Sequence, residues 1–206
     1  MLRRVLVVLL FGWFVSVAAA APPPILVLGD SLSAAHGIAT REGWVALLEQ
    51  RLQTSPTPRA IVNASISGET TAGGLARLPP LLTDNKPALV IVELGANDGL
   101  RGLPLAEARA NLVKILTAIR AAGAHALLLG IELPVNYGPQ YRDGLRSMYR
   151  GLADEFNVPL LPFLLDGVAL DPALMQDDGL HPNAAGEPRV LENVWTKLEP
   201  ALRELH

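Results

Sequence analysis

The sequence predicts a three-layer α/β/α domain around a central parallel sheet of five strands. Two observations carry this. Short apolar runs alternate with stretches whose apolar residues recur at helical spacing, the pattern of β-α-β crossovers that cover a parallel sheet on both faces. The first of these runs, ILVL (25–28), is also continuously apolar, as a strand buried on both faces is. No internal repeat, low-complexity linker or second domain interrupts the pattern.

Each element follows in order. ILVL (25–28) is the first strand. GWVALLEQRL (43–52) has helical spacing at Trp44, Leu47, Leu48 and Leu52. AIVNASI (60–66) is the second strand. LARLPPLL (75–82) reads as a broken helix, because Pro79 and Pro80 remove donors from a helix interior. ALVIVELG (88–95) is the clearest strand. Residues 104–123 form the clearest helix, with a stripe of Leu105, Leu112, Ile115, Leu116 and Ile119 between Pro104 and Gly123. ALLLGIEL (126–133) is a fourth strand, Tyr141 to Phe156 a helix, and VPLLPF (158–163) a short fifth strand. The last helix spans about Asn183 to Glu204, with Pro188 near its first turn.

The first twenty residues stand apart. MLRR is basic, VLVVLLFGWFVSV is apolar but short for a bilayer, and AAAA then PPP follow. This is the layout of a secretory signal peptide over 1–20, with cleavage after Ala20 and one domain over 21–206. An uncleaved membrane anchor is the other reading. Cleavage removes Arg3 and Arg4 and takes the formal charge from −3 to −5. No run of Lys and Arg points to nucleic acid. The chain has no cysteine, which excludes disulfides, thiol nucleophiles, thiolate metal sites and a lipid-modified N-terminal cysteine.

In open parallel sheets the site lies at the carboxyl ends of the strands. Polar clusters fall there: Gly29-Asp30-Ser31-Leu32-Ser33 after the first strand, Ser65 to Thr70 after the second, and Gly95-Ala96-Asn97-Asp98 after the third. Asp178-Gly179-Leu180-His181-Pro182 precedes the last helix. Each cluster alone also fits an ordinary turn.

A serine hydroxyl becomes a nucleophile only beside a base that is itself oriented. Of four histidines, His206 is terminal and His125 sits just before a strand, where a structural or exposed role fits. His36 shares the Ser31 loop and is placed to line a pocket, without a carboxylate at short spacing. His181 has Asp178 three residues earlier, with Gly179 between them. That turn can set the Asp178 carboxylate on Nδ1 and leave Nε2 facing Ser31. Acyl transfer also needs oxyanion donors. Candidates are the Ser31 N–H, if Ser31 opens a helix, the Gly68 N–H, which no Cβ shields, and the Asn97 side-chain amide.

Taken together, Ser31 in GDSLS, Gly68 in SGET, Asn97 in GAND and His181 in DGLHPN resemble, in order, the four blocks of the SGNH (GDSL-type) hydrolases, over about residues 24 to 200. ELPVNYGPQY (132–141), PLLPF and MQDDGLHPN (175–183) are similar to its periplasmic branch of multifunctional acyl-CoA thioesterase, lysophospholipase and arylesterase activity. The resemblance implies a flavodoxin-like fold, a Ser31-Asp178-His181 triad, oxyanion donors at Ser31, Gly68 and Asn97, and no metal or other cofactor. The G-x-S-x-G elbow is absent, which separates the chain from α/β-hydrolases. Neither G-x-G-x-x-G, the P-loop pattern nor H-E-x-x-H occurs.

The expected partner is a small acyl ester or thioester, with no nucleic acid, no stable membrane insertion after leader removal, and a monomeric chain in the periplasm or outside the cell. LARLPPLL and LPVNYGPQY are expected to build the acyl pocket, through Leu78, Pro134 and Tyr137. Rival readings are a carbohydrate or short-chain acetyl esterase of the same fold, and an exported flavodoxin-like binding protein without catalysis.

Overall fold

The computed structural model describes residues 21–56 and 58–205; the expected leader over 1–20 lies outside them. Five strands, β1 (Ile25–Gly29), β2 (Ile61–Asn63), β3 (Leu89–Glu93), β4 (His125–Leu129) and β5 (Leu160–Leu161), form one all-parallel sheet in the order β2-β1-β3-β4-β5. Every residue of β1 and β3 is buried, in keeping with their apolar sequences; the exception is Glu93, a buried carboxyl at the end of β3. The central register pairs Ile25 with Leu89 and Gly29 with Glu93, so both strands end at the same edge.

Six helices are α1 (Trp44–Gln53), α2 (Thr71–Asn85), α3 (Ala96–Leu100), α4 (Leu105–Ala121), α5 (Pro139–Phe156) and α6 (Glu187–Arg203). Helices α2, α4 and α5 pack side by side, while α1 packs on α6. The buried stripe of α4 is Ala108, Leu112, Ile115, Leu116 and Ile119; Leu105 is only half-buried. One connected apolar core joins the strands to the helices. The chain leaves β1 toward one edge and β2 toward the other, so β1 and β3 flank the topological switch point, where ligands bind in such sheets.

Three expectations need correction. First, α2 is continuous through Pro79 and Pro80. Both prolines face solvent, while Thr71, Gly74, Leu78 and Leu82 repeat at three- and four-residue spacing along the buried face. An interior proline costs about 3 kcal/mol; packing of that face offsets it, and water solvates the carbonyls the prolines leave free. Second, β2, β4 and β5 are shorter than expected. β2 ends at Asn63, although Ala64 N and Ile66 N still donate to Val27 O and Gly29 O. β4 ends at Leu129 and β5 holds two residues. Third, α6 begins at Glu187 rather than near Asn183. Asn183 instead forms a turn: its Oδ1 accepts from Ala185 N and Gly186 N, and its Nδ2 donates to Ala173 O and Met175 O.

Candidate active site

The four polar clusters meet at one edge of the sheet. Ser31, Gly68, Asn97 and His181 line a single cleft of about 320 Å³. Ser31 follows β1 in a run of turns rather than at a helix start, which corrects the expected placing of its N–H. His181 Nε2 lies 2.8 Å from Ser31 Oγ, and His181 Nδ1 lies 2.6 Å from Asp178 Oδ2. With Asp178 accepting from Nδ1–H, Nε2 is the unprotonated nitrogen that faces the hydroxyl.

The Asp178 turn is self-fastened. Its Oδ1 accepts from Leu180 N at 2.9 Å and His181 N at 3.0 Å, and Gly179 supplies the left-handed backbone (φ +66°) that the turn requires. Desolvation pushes the Asp178 carboxyl up. The hydrogen bonds from the His181 ring and from these two N–H groups outweigh it and hold the pKa at about 2. Asp178 therefore stays ionised wherever an imidazolium would form.

The oxyanion candidates sit beside this pair. Gly68 has φ +79°, and a Cβ there would meet nothing nearer than Arg101 at 3.6 Å. Backbone conformation, rather than lack of space, explains the glycine. Among the described residues neither Ser31 N–H nor Gly68 N–H donates within the protein, so both are free for a ligand. Asn97 Nδ2 donates one N–H to Asp30 Oδ2 at 3.0 Å and has a second to offer the cleft.

A buried polar frame behind the cleft holds these donors. Asp30 Oδ1 accepts from Leu32 N, and Glu93 Oε2 accepts from Asp30 N and Ser33 Oγ. Burial pushes the Asp30 carboxyl up to about 6, against the hydrogen bonds from Leu32 and Asn97 and the charge of His181. Burial, and then the Asp30 charge beside it, push the Glu93 carboxyl well above its ordinary value. Asp98 accepts from Thr71 N at 2.9 Å and from Thr71 Oγ1 at 2.6 Å, and Arg101 Nη2 donates to Gly68 O at 2.7 Å. Those contacts fasten the Gly68 loop to the segment bearing Asn97. Gln176 Nε2 reaches both His36 O and Pro182 O at 2.7 Å, tying the Ser31 loop to the His181 loop. The His36 ring lies against that of His181, with centroids 4.5 Å apart.

The predicted acyl-pocket residues separate. Pro134 lines the cleft. Leu78 does not: it is fully buried in the core, because the unbroken α2 turns it inward. Tyr137 lies off the cleft wall, packed on the core with its hydroxyl donating to Leu100 O at 3.1 Å. Leu100, Ile131, Leu133, Phe163, Leu165 and Leu180 supply the apolar wall. The sequence analysis gives no role to Glu93, Thr71, Asp98, Arg101 or Gln176, although Asp98 falls in the polar cluster after the third strand and Gln176 in the MQDDGLHPN stretch. Glu93 also carries a signal, as a carboxyl inside an apolar strand that demands a buried partner. Among the described residues no group of three or more His, Cys, Asp or Glu converges to hold a metal ion.

Comparison with known proteins places the chain among its relatives. The GDSL-like Lipase/Acylhydrolase family matches residues 27–188. The chain is 52% identical over 183 residues to the esterase TesA of Pseudomonas aeruginosa, covering 89% of this chain and 91% of that one. It is 45% identical over 191 residues to thioesterase 1/protease 1/lysophospholipase L1 of Escherichia coli K12, covering 93% and 90%. The psychrotrophic esterase EstA of a Pseudoalteromonas species, solved inhibited by monoethylphosphonate, superposes with a TM-score of 0.84 at 39% identity, covering 88% and 100%.

Proposed function

We propose, from the premise that this chain belongs to the GDSL-like lipase/acylhydrolase family, that its hydrolysis of esters and thioesters runs through an acyl-enzyme on Ser31. The observation that carries this reading is the aligned series Asp178 Oδ2, His181 Nδ1, His181 Nε2, Ser31 Oγ, at 2.6 and 2.8 Å. Ser31 Oγ attacks the acyl carbonyl carbon while His181 Nε2 takes its proton, and Asp178 stabilises the imidazolium. The tetrahedral oxyanion is met by the N–H groups of Ser31 and Gly68 and by the free N–H of Asn97. His181 returns the proton to the departing alkoxide or thiolate. A water then repeats the attack, with His181 as base, and releases the carboxylic acid.

The natural substrates are lysophospholipids or related acyl esters met outside the cytosol. The basic, apolar and small-residue layout of residues 1–20 supports export to a periplasm or beyond. Acyl-CoA is made in the cytosol, so an exported enzyme rarely meets it. Among the described residues no helix is long and apolar enough to cross a membrane. One chain supplies every group of the proposed mechanism, so the reading requires no second copy. The test is hydrolysis of p-nitrophenyl esters from C2 to C16 beside Ser31→Ala. The expected result is a preference for medium or long chains and a loss of about 10⁶-fold in the variant, as in other serine triads. A C2-only preference replaces the lipolytic reading with a deacetylase. Equal rates for wild type and variant on every ester end the catalytic reading.

A further inference from the structure

The cleft is polarised along the sheet. Its apolar wall, Ile131, Leu133, Phe163 and Leu165, comes from the segments that follow β4 and β5. Ser67 and Gly68 come from the loop after β2, at the other end of the order β2-β1-β3-β4-β5, and Ser31 follows β1 between them. An acyl chain drawn to the apolar end leaves the alcohol part of the ester facing the β2 end.

That end holds donors the fold does not use up. Arg101 caps the C-terminus of α3 and lays its guanidinium over Gly68: Nη2 donates to Gly68 O at 2.7 Å and stands 3.6 Å from where a Cβ on Gly68 would lie. Among the described residues Arg101 has no carboxylate partner. The acids beside it in the loop and the helix are already engaged, Glu69 by Arg77 at 2.6 Å and Asp98 by Thr71. Holding one carbonyl takes a single N–H of five. What Arg101 adds is a permanent, exposed positive charge beside an oxyanion donor. Ser67 and His36 line the same end of the cleft, and among the described residues neither the Ser67 hydroxyl nor the His36 ring nitrogens have a hydrogen-bond partner.

We propose that Arg101 forms a subsite for a phosphate carried by the leaving group, the glycerophosphate of a lysophospholipid. The inference rests on the proposed acyl-enzyme at Ser31. With the acyl carbonyl at Ser31 and its oxygen on the Gly68 N–H, the glycerol carries its phosphate over Gly68 to the guanidinium, whose planar fork suits phosphate oxygens. Once His181 has protonated the glycerol oxygen, the glycerophosphate leaves through this open rim. Arg101 is exposed, so water screens the pair and it is worth about two- to fivefold in kcat/KM.

The test compares octanoyl-glycerophosphate with octanoylglycerol, which differ only in the phosphate, below their aggregation concentrations. Wild type, Arg101→Lys and Arg101→Gln are assayed on both. The readout is the ratio of the two kcat/KM values, because loosening of the Gly68 loop lowers both rates alike. At low salt the wild-type ratio is expected to exceed that of Arg101→Gln by about two- to fivefold, with Arg101→Lys keeping part of the difference. The difference is expected to fall toward unity at about 1 M salt, where the screening length is about 3 Å. Equal losses on both substrates, an unchanged ratio or a difference insensitive to salt overturn the subsite. So does an Arg101 effect confined to octanoyl-CoA measured against the octanoyl N-acetylcysteamine thioester, which assigns the guanidinium to the phosphates of CoA. A wild type that cleaves p-nitrophenyl butyrate but not octanoyl-glycerophosphate overturns the subsite and leaves the Ser31 reading standing. Ser31→Ala is run alongside: butyrate hydrolysis that survives there refutes the nucleophile, while the Arg101 ratios still judge the subsite.

Discussion

Asn97 Nδ2 carries two N–H bonds, and Asp30 takes one of them. The carboxylate therefore fixes the amide plane and sends the other N–H into the cleft. Asn97→Ala is expected to lower kcat by about 10²- to 10³-fold with little change in KM, because the donor is used only once the oxyanion forms. Steady-state kinetics on one short ester checks this; a rise in KM at constant kcat assigns Asn97 to substrate binding instead. The sequence offers Ser31, Gly68, Asn97, Asp178 and His181 as candidates because acyl transfer requires those groups and each occupies a strand end or a short turn, and the structure brings them together at one cleft. Asp30 and Glu93 were not legible as a frame. Their meaning comes from the β1–β3 register, which sets Gly29 opposite Glu93 across sixty-odd residues of sequence.

Between elements, Glu187 does work that neither helix shows alone. Helix α1 opens at Gly43, which has no side chain to cap it, and Glu187 of α6 accepts from Trp44 N at 2.8 Å. Burial pushes the Glu187 pKa up to about 7, against that hydrogen bond. A raised folded-state pKa stabilises fully below the unfolded value near 4.5 and loses its contribution as pH rises toward 7. Glu187→Gln keeps an acceptor for Trp44 without the titration. Urea unfolding is expected to show a shallower fall in stability between pH 4.5 and 7 for the variant, by up to about 3 kcal/mol. Parallel curves for the two proteins contradict the assignment. Leu78 gives a second check. Leu78→Ala is expected to cost about 2–5 kcal/mol of stability and to leave chain-length preference unchanged. An altered preference returns Leu78 to the acyl pocket. The continuous α2 was illegible because local proline chemistry argued for a break, and only the tertiary packing of its inner face decides otherwise.

At the scale of the molecule, the alternation of apolar runs with helical stripes was enough to predict layers and a parallel sheet. It carried no information on strand order. The order β2-β1-β3-β4-β5 places the switch point between β1 and β3, and that placement brings Ser31 and Asn97 to one cleft. Long-range contacts then complete the site: Gln176 joins loops about 140 residues apart, and His181 meets Ser31 across a separation of 150. Short strands suffice here because β1 and β3 are buried along their whole length, while β2 and β5 only extend the edges.

The central claim is that Ser31 forms the covalent intermediate, and intact-mass analysis after brief exposure to a fluorophosphonate tests it most directly. The account predicts one phosphonyl adduct per chain, mapped by peptide sequencing to Ser31, and none on Ser31→Ala. A folded, active enzyme that gains no adduct, or gains it on another residue, contradicts the account.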